Sequence, residues 1–264
     1  MIETIRVQAP DGALTGARYS GTGPALIFVH GVGSTAAIWD VQLQAFSDGF
    51  TCAAVELRGN GTFPDPDPAL ISRAGYAADV LAVAGALEID RFTLVGCSLG
   101  GVVAFELYGR VPDRFDALVT VGSFARYPDG QAAADAINAT LSQLGDMRAF
   151  AEARAAKLAL PPARTRETIE QMACKSVASY RAATIATWTG DYRSALGTIG
   201  VPALVLCGEN DMVAPRALSE EIAAGIPGAR FAIVPDAGHV ANADAPAAFN
   251  ALLRGFLSTP VAAQ

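Results

Sequence analysis

The sequence predicts an α/β protein with a doubly wound, mostly parallel sheet and one helical insertion. Short continuous apolar runs recur along the chain, and runs of this kind suit strands that are covered on both faces. Most of the runs are separated by segments long enough for a crossover helix, and this alternation predicts a parallel sheet. The runs occupy residues 25–29, 52–57, 92–95, 117–121, 203–207 and 230–234.

The first twenty residues predict an antiparallel hairpin. Residues 4–8 and 14–19 are rich in strand-forming side chains, and they flank the turn dipeptide Asp11-Gly12. An Asp-Gly pair favours a tight hairpin turn, because glycine adopts a positive φ without steric cost. The sheet is therefore expected to be parallel except at an edge formed by this hairpin.

One long segment interrupts the alternation of strands and helices. Between residues 124 and 188 there is no apolar run comparable to the others, and the segment is rich in Ala, Gln, Arg and Glu. These residue types favour helix. We therefore predict a helical cap at residues 124–188, a short helix near residues 191–196, and a core domain built from residues 1–123 and 189–264.

Composition limits the classes of function. The 264 residues are 52% hydrophobic and 17% charged, which provides a large core and argues against disorder. The formal net charge is −7, whereas a nucleic-acid-binding protein is expected to present a basic surface. The four cysteines are widely spaced and form no CxxC pair, so neither a zinc site nor a disulfide framework is predicted.

The sequence shows no sign of targeting to a membrane or to a secretory pathway. Residues 1–12 lack a basic stretch followed by an apolar one, which a signal peptide requires. There is also no uncharged apolar stretch of about 18 residues that would span a bilayer. We therefore expect a cytoplasmic protein without a membrane partner, and a homo-oligomer is compatible with the sequence.

The pentapeptide Gly96-Cys-Ser-Leu-Gly100 is the motif with the clearest chemical meaning. It follows the apolar run at 92–95 and precedes an apolar helical stretch at 102–108. A strand–turn–helix context is typical of a nucleophile elbow, in which glycines permit a tight turn and the serine hydroxyl projects above the sheet. Ser98 is therefore the candidate nucleophile, and Cys97 beside it is expected to be a packing residue.

A serine hydroxyl is a weak nucleophile and needs a base. The chain has two histidines, His30 and His239. The order serine, acid, histidine along the chain is typical of a triad that is built on such an elbow, and only His239 satisfies it. His239 is therefore the candidate base, whereas His30 is predicted to fix its own loop through a ring hydrogen bond.

An acid must orient the base and stabilise its protonated form. Asp211 follows the run at 203–207 and precedes His239 by 28 residues. A loop at the carboxyl end of a strand is where sheets of this class hold their site. Asp211 is therefore the preferred acid, with Glu209 and Asp236 as alternatives because of their closeness along the chain.

Two backbone N–H groups are needed to stabilise an oxyanion. Leu99, directly after the candidate nucleophile, is predicted to supply one, and Val32 in the loop His30-Gly-Val-Gly-Ser34 the other. Glycines there let the backbone approach a substrate closely, although an ordinary strand–helix loop that needs glycine is compatible with the same residues. Trp39 is a candidate substrate contact in the acyl pocket, with core packing as the alternative.

Taken together, these motifs resemble those of the α/β-hydrolases. The HGxG loop, the Gly-x-Ser-x-Gly-Gly turn, the acid after a late strand and the Gly-His pair near the end occur in that family's order over nearly the whole chain. Residues 238–242 (GHVAN) and 246–250 (PAAFN) are similar to the C-terminal signature of the esterase and lactonase group that includes 3-oxoadipate enol-lactonases. The resemblance implies the α/β-hydrolase fold, with residues 124–188 as the cap over the site.

The residues and the resemblance together predict a serine hydrolase that cleaves a small-molecule ester or lactone through a Ser-His-Asp triad, with no metal and no organic cofactor. A hydrolase that cleaves a C–C bond in a β-diketone or a ring-cleavage product would use the same triad and stays an alternative. A non-enzymatic ligand receptor on this fold is a second alternative, because fold does not determine function.

Charge is distributed unevenly between the predicted cap and core. Residues 124–188 contain eight Lys or Arg and six Asp or Glu, whereas the remainder contains eleven and twenty. A cap of net charge +2 over a core of net charge −9 favours a substrate that bears a carboxylate. Arginines on solvated helix faces explain the same counts equally well.

Overall fold

The computed structural model, which describes residues 1–61, 63–158 and 162–258, contains an eight-stranded sheet. Its strands run across the sheet in the order β1-β2-β4-β3-β5-β6-β7-β8. The pairs β1–β2 and β2–β4 are antiparallel and the other pairs are parallel, which confirms the predicted fold class. The strands are β1 (Glu3–Gln8), β2 (Leu14–Ser20), β3 (Ala25–Val29), β4 (Thr51–Glu56), β5 (Phe92–Cys97), β6 (Phe115–Val121), β7 (Ala203–Gly208) and β8 (Arg230–Val234).

Helices cover both faces of the sheet. The helices α1 and α11 pack on one face, and α2, α3 and α9 pack on the other. None of the helices in the described ranges is both long and apolar enough to cross a membrane. The helices are α1 (Asp40–Phe46), α2 (Arg73–Ala86), α3 (Leu99–Tyr108), α4 (Gly130–Leu144), α5 (Met147–Leu158), α6 (Pro162–Ala173), α7 (Val177–Trp188), α8 (Arg193–Leu196), α9 (Arg216–Gly225), α10 (Ala241–Asp244) and α11 (Pro246–Leu257).

Burial on both faces explains why the central strands are continuously apolar. All five residues of β3 are buried. Successive side chains of a strand point to opposite faces, so Leu26 and Phe28 join the cluster under α1 and α11, whereas Ile27 and Val29 join the cluster under α2 and α3. The alternation of strand and helix therefore places the carboxyl ends of the parallel strands along one edge.

The segment between β6 and β7 is helical. It contains α4 to α7, here called the cap helices, followed by the short α8. The cap helices have a small apolar core of their own, to which Leu141, Phe150, Met172 and Tyr180 contribute. An isolated antiparallel bridge between Arg126 and Asp191 joins the two ends of the segment. The division into core and cap stays a prediction, and residues 62, 159–161 and 259–264, which it includes, lie outside the described residues.

Candidate active site

The turn after β5 holds Ser98 in a strained backbone conformation. Ser98 lies between the last residue of β5 and the first residue of α3, with a φ of 53°. A Cβ atom on Gly96 would lie 2.3 Å from the carbonyl oxygen of Gly100, and a Cβ atom on Gly100 would lie 2.2 Å from that of Val29. Both positions therefore require glycine, and the turn has the geometry expected of a nucleophile elbow.

Backbone hydrogen bonds fix this turn against the end of β6. The N–H of Ser98 donates to the carbonyl oxygen of Val121 at 3.0 Å, and the hydroxyl of Ser123 donates to the carbonyl oxygen of Ser98 at 2.8 Å. Because Ser98 is the residue that precedes α3, it lies at the positive end of the helix dipole. The serine is thus held rigidly, with a field beside it that stabilises negative charge.

The buried carboxylate of Asp211 orients the ring of His239. Nδ1 of His239 lies 2.9 Å from Oδ2 and 3.0 Å from Oδ1 of Asp211. Oδ1 also accepts the backbone N–H groups of Val213 at 2.8 Å and Ala214 at 2.9 Å. With a carboxylate as acceptor, the assigned tautomer has the proton on Nδ1, which leaves the lone pair on Nε2 that a general base needs.

Gly122 brings this pair next to the serine. It directly follows β6, has a φ of 55°, and a Cβ atom there would lie 3.0 Å from Oδ2 of Asp211 and 3.2 Å from Nδ1 of His239. Its chain neighbour Val121 accepts the N–H of Ser98. Ser98, Asp211 and His239 therefore follow the carboxyl ends of β5, β7 and β8, and Gly122 follows β6, which lies between β5 and β7 in the sheet. Gly122 was not predicted from the sequence, although a glycine that directly follows a buried strand is a usable signal of close approach.

Among the described residues, neither of the two alternative acids forms a hydrogen bond or ion pair with His239. The carboxylate of Glu209 is exposed, and its Oε2 accepts the backbone N–H of Asp236 at 3.0 Å. Asp236 is also exposed and occupies the left-handed region with a φ of 56°. Glu209 therefore stabilises the loop that contains Asp236, and Asp211 is the acid that the structure brings to His239.

The loop after β3 passes beside Ser98, as an oxyanion loop should. A Cβ atom on Gly31 would lie 3.2 Å from Cβ and 3.8 Å from Oγ of Ser98. Val32 is the next residue, and Leu99 is the first residue of α3. Leu99 is therefore next to the serine along the chain, and Val32 belongs to a loop that approaches the serine in space.

His30 fixes this loop, as predicted for a structural histidine. Its ring is fully buried, Nδ1 lies 2.8 Å from the carbonyl oxygen of Gly31, and Nε2 lies 3.2 Å from the backbone nitrogen of Leu57. Nε2 also lies 3.2 Å from Oε1 of Glu56, the last residue of β4. The ring thereby ties the loop after β3 to the end of β4.

Trp39 is not a substrate contact, and this prediction is corrected. Its indole is 0% exposed and packs between the rings of Phe28 and Phe249, with centroid distances of 5.1 Å and 6.0 Å. The short helical turn that ends at Trp39 directs the ring under the sheet, toward α11, rather than toward His239. Trp39 therefore serves as a core residue despite its closeness to the oxyanion loop in sequence.

The thiol beside Ser98 is unsuited to nucleophilic attack. Cys97 is buried, and burial raises the pKa of its thiol far above its usual range. A thiol is nucleophilic as the thiolate, so Cys97 is inert at neutral pH. Among the residues that the structure describes, no group of three or more His, Cys, Asp or Glu side chains is placed to hold a metal ion.

A cavity of about 200 Å³ opens beside His239, between the core and the cap helices. Several of its walls are apolar, and Met212 stands 87% exposed among its lining residues. The cap side is formed by residues of α5 and α6 that the sequence did not single out. These residues are Arg154, Arg164, Thr168, Gln171 and Met172. A mostly apolar cavity with a few polar groups suits a small organic molecule.

The chain is similar to known proteins over most of its length. The profile of the family described as alpha/beta hydrolase fold matches residues 24–246. The protein of Variovorax paradoxus (strain S110) named "Putative carbamate hydrolase RutD" is 31% identical over 89% of this chain and 92% of its own length. The 3-oxoadipate enol-lactonase 2 of Acinetobacter baylyi is 28% identical over 86% of each chain.

A solved structure extends the likeness to three dimensions. A hydrolase from Pseudomonas aeruginosa superposes with a TM-score of 0.89 and 29% sequence identity, over 97% of this chain and 99% of that one. The chain therefore belongs to the α/β-hydrolase fold family and is an enzyme of the hydrolase class.

Proposed function

We propose that this hydrolase cleaves carboxylic esters or lactones, with Ser98 as nucleophile, His239 as general base and Asp211 as the acid that orients the base. The observation that supports this proposal best is the His239–Asp211 hydrogen bond, at 2.9 Å, packed against Gly122 beside the strained serine. A base, its orienting acid and an elbow nucleophile are the parts that acyl transfer requires.

The reaction proceeds in two steps. Nε2 of His239 takes the Ser98 proton while Oγ attacks the carbonyl carbon, and the N–H groups of Leu99 and Val32 stabilise the resulting oxyanion. Protonated His239 then gives its proton to the leaving alkoxide, and the acyl group remains on Ser98. Water, activated by His239, attacks the acyl-enzyme and releases the carboxylic acid with the free serine.

In this proposal the cap helices form one wall of the substrate site. Residues of α5 and α6 line the cavity beside His239, so bound substrate lies between the cap and the core. Exclusion of bulk water there strengthens the hydrogen bonds to the oxyanion. The cavity has a volume of about 200 Å³, so it suits a small substrate rather than a long-chain one.

Turnover and covalent labelling test the proposal together. The panel contains p-nitrophenyl esters of graded acyl length, several lactones, one β-diketone, and one carbamate because a relative carries that name. We expect turnover of short esters or lactones, and one fluorophosphonate bound per chain, located on Ser98 by peptide mass spectrometry. Heat-unfolded protein is the control and should remain unlabelled.

Other outcomes of the same experiment would replace the proposal. Turnover of the β-diketone alone would favour the C–C hydrolase alternative, and turnover of the carbamate alone would favour carbamate hydrolysis. Labelling of a residue other than Ser98 would contradict the assignment of the nucleophile. The relatives are named as hydrolases, which leaves the receptor alternative without support.

The position of Arg154 in the cavity wall leads us to predict that the enzyme prefers substrates with a negative charge. Arg154 lines the cavity, and among the described residues no carboxylate lies within 4 Å of its guanidinium. Arg164, in contrast, pairs with Glu167 and lies 3.7 Å from Asp244. We expect Arg154→Met to raise KM for a half-ester with a terminal carboxylate by about 10-fold, the value of one charged hydrogen bond.

A neutral ester of equal length and a second arginine of α5 provide the controls. Arg148 lies on the same helix but pairs with Glu170 on the exposed surface. Arg148→Met should therefore leave both KM values unchanged, and Arg154→Met should leave KM for the neutral ester unchanged. Equal loss for charged and neutral esters in Arg154→Met would show that this arginine does not recognise charge.

A further inference from the structure

The loop after β3 lies between Ser98 and the cap helices. On one side, Gly31 approaches the side chain of Ser98. On the other side, a Cβ atom on Gly33 would lie 2.7 Å from Cε of Met172 in α6, and Gly33 has a φ of 82°. Val32, which supplies the proposed oxyanion donor, is therefore carried by a segment that contacts the nucleophile and α6 at once.

Ser34, two residues beyond Val32, is hydrogen-bonded to two residues of the cap. Its hydroxyl donates to Oε1 of Gln171 at 3.0 Å, and its carbonyl oxygen accepts a hydrogen bond from Nζ of Lys175 at 3.0 Å. Gln171 lies in the last turn of α6, and Lys175 lies in the turn between α6 and α7. Side chains from a segment about 140 residues away in sequence therefore restrain the hydroxyl and the carbonyl oxygen of this residue.

Lys175 is held in a buried position, which costs free energy because its ammonium is removed from water. Its backbone N–H donates to the carbonyl oxygen of Met172 at 3.2 Å, and the next residue, Ser176, caps α7. Lys175 is 6% exposed, and burial lowers the pKa of its ammonium to about 8, although Glu56 and Asp65 attract its charge. A buried ammonium that donates to a neutral carbonyl contributes little to stability, so its placement calls for another explanation.

We propose that Lys175 and Gln171 are positioning residues that hold Ser34, and through it the backbone N–H of Val32, in register with Ser98. Helix α6 and the turn that follows it thereby set the geometry of the oxyanion hole. An oxyanion donor is effective when its direction is fixed before the reaction, because the enzyme then spends no free energy on reorientation. This inference rests on the acyl-transfer mechanism proposed above.

Two variants that remove one hydrogen bond each test the proposal. Lys175→Met keeps the length of the side chain and removes the donor to the Ser34 carbonyl, and Ser34→Ala removes the bond to Gln171 without changing the backbone. We expect kcat for p-nitrophenyl butyrate to fall about 10-fold to 100-fold in Lys175→Met and by less in Ser34→Ala, with KM changed less than about twofold. The thermal midpoint of each variant should stay near that of the wild type.

A transition-state analogue distinguishes positioning from general structural damage. A trifluoromethyl ketone adds to an active-site serine as a tetrahedral oxyanion, so its inhibition constant should rise by the same factor as kcat/KM falls. Arg166→Met removes an exposed cation from α6 and should change neither quantity. An unchanged kcat in both variants, or a loss of kcat with an unchanged inhibition constant, would overturn the inference. If Ser98→Ala stays active, the proposed function itself fails, and this result separates the two failures.

Discussion

Replacing Ser98 by alanine is expected to lower kcat for ester hydrolysis by a factor of about 10⁶ and to leave KM nearly unchanged. The variant loses the atom that attacks the carbonyl, but it keeps the proposed oxyanion donors of Leu99 and Val32. Alanine carries the same Cβ as serine, so the strain of the φ of 53° at this position is not increased. Steady-state kinetics with p-nitrophenyl butyrate and a thermal midpoint for each protein measure the two effects.

Cys97→Ala is the matched control, because it removes the only other nucleophilic atom in the elbow. Cys97 is buried and its thiol pKa is raised by burial, so we expect kcat within about threefold of the wild type, as for a packing change away from the reacting atoms. Ser98→Ala with activity within a hundredfold of the wild type, or a Cys97→Ala variant without activity, would contradict the assignment.

The strands of the sheet could be predicted to within about two residues at each end, and the central strands most clearly because they are buried on both faces. The strand β3 was predicted at 25–29 and is found at Ala25–Val29. The strand β4 was predicted to reach Leu57 but ends at Glu56. Leu57 is apolar and buried, yet its N–H donates to Nε2 of His30 instead of joining the sheet. The hydropathy of a residue indicates whether it is buried, but it does not indicate which group its backbone N–H binds. The end of a strand therefore cannot be predicted from hydropathy alone.

The start of the helix after the elbow was predicted less accurately from the sequence. The apolar stretch predicted a helix from residue 102, whereas α3 begins at Leu99 and includes Gly100 and Gly101. Glycine is a poor helix former, but a Cβ atom on Gly101 would lie 2.2 Å from Oγ of Ser123. Tertiary contact therefore selects residues that local propensity disfavours.

The candidate triad was predictable because chain order and strand ends are properties of the sequence. The surroundings of the triad were not, since they depend on how distant helices pack. Arg154 lines the cavity from α5, and Lys175 contacts Ser34 from the turn between α6 and α7. No pattern near His30 or Ser98 points to either residue. The prediction that Trp39 contacts substrate was wrong for a related reason. Closeness along the chain does not determine the direction in which a side chain points.

Replacing Asp211 by asparagine is expected to lower kcat by a factor of about 10⁴ at pH 7 without unfolding the protein. The hydrogen bonds of the carboxylate determine how an amide would sit there. Oδ1 accepts the N–H groups of Val213 and Ala214, so the amide oxygen should take that position. The amide nitrogen then faces Nδ1 of His239, which lies 2.9 Å from the present Oδ2.

An amide nitrogen donates its proton, so Nδ1 of His239 would have to accept it and the ring proton would move to Nε2. The base would then lack a lone pair toward Ser98, although every backbone contact of residue 211 is kept. Asp236→Asn and Glu209→Gln are the matched controls, because both acids are exposed and, among the described residues, neither forms a hydrogen bond or ion pair with His239. We expect these controls to retain kcat within about threefold, as surface substitutions do. A large loss in Asp236→Asn with an active Asp211→Asn would reassign the acid, whereas equal losses in all three would indicate a general effect of charge near His239.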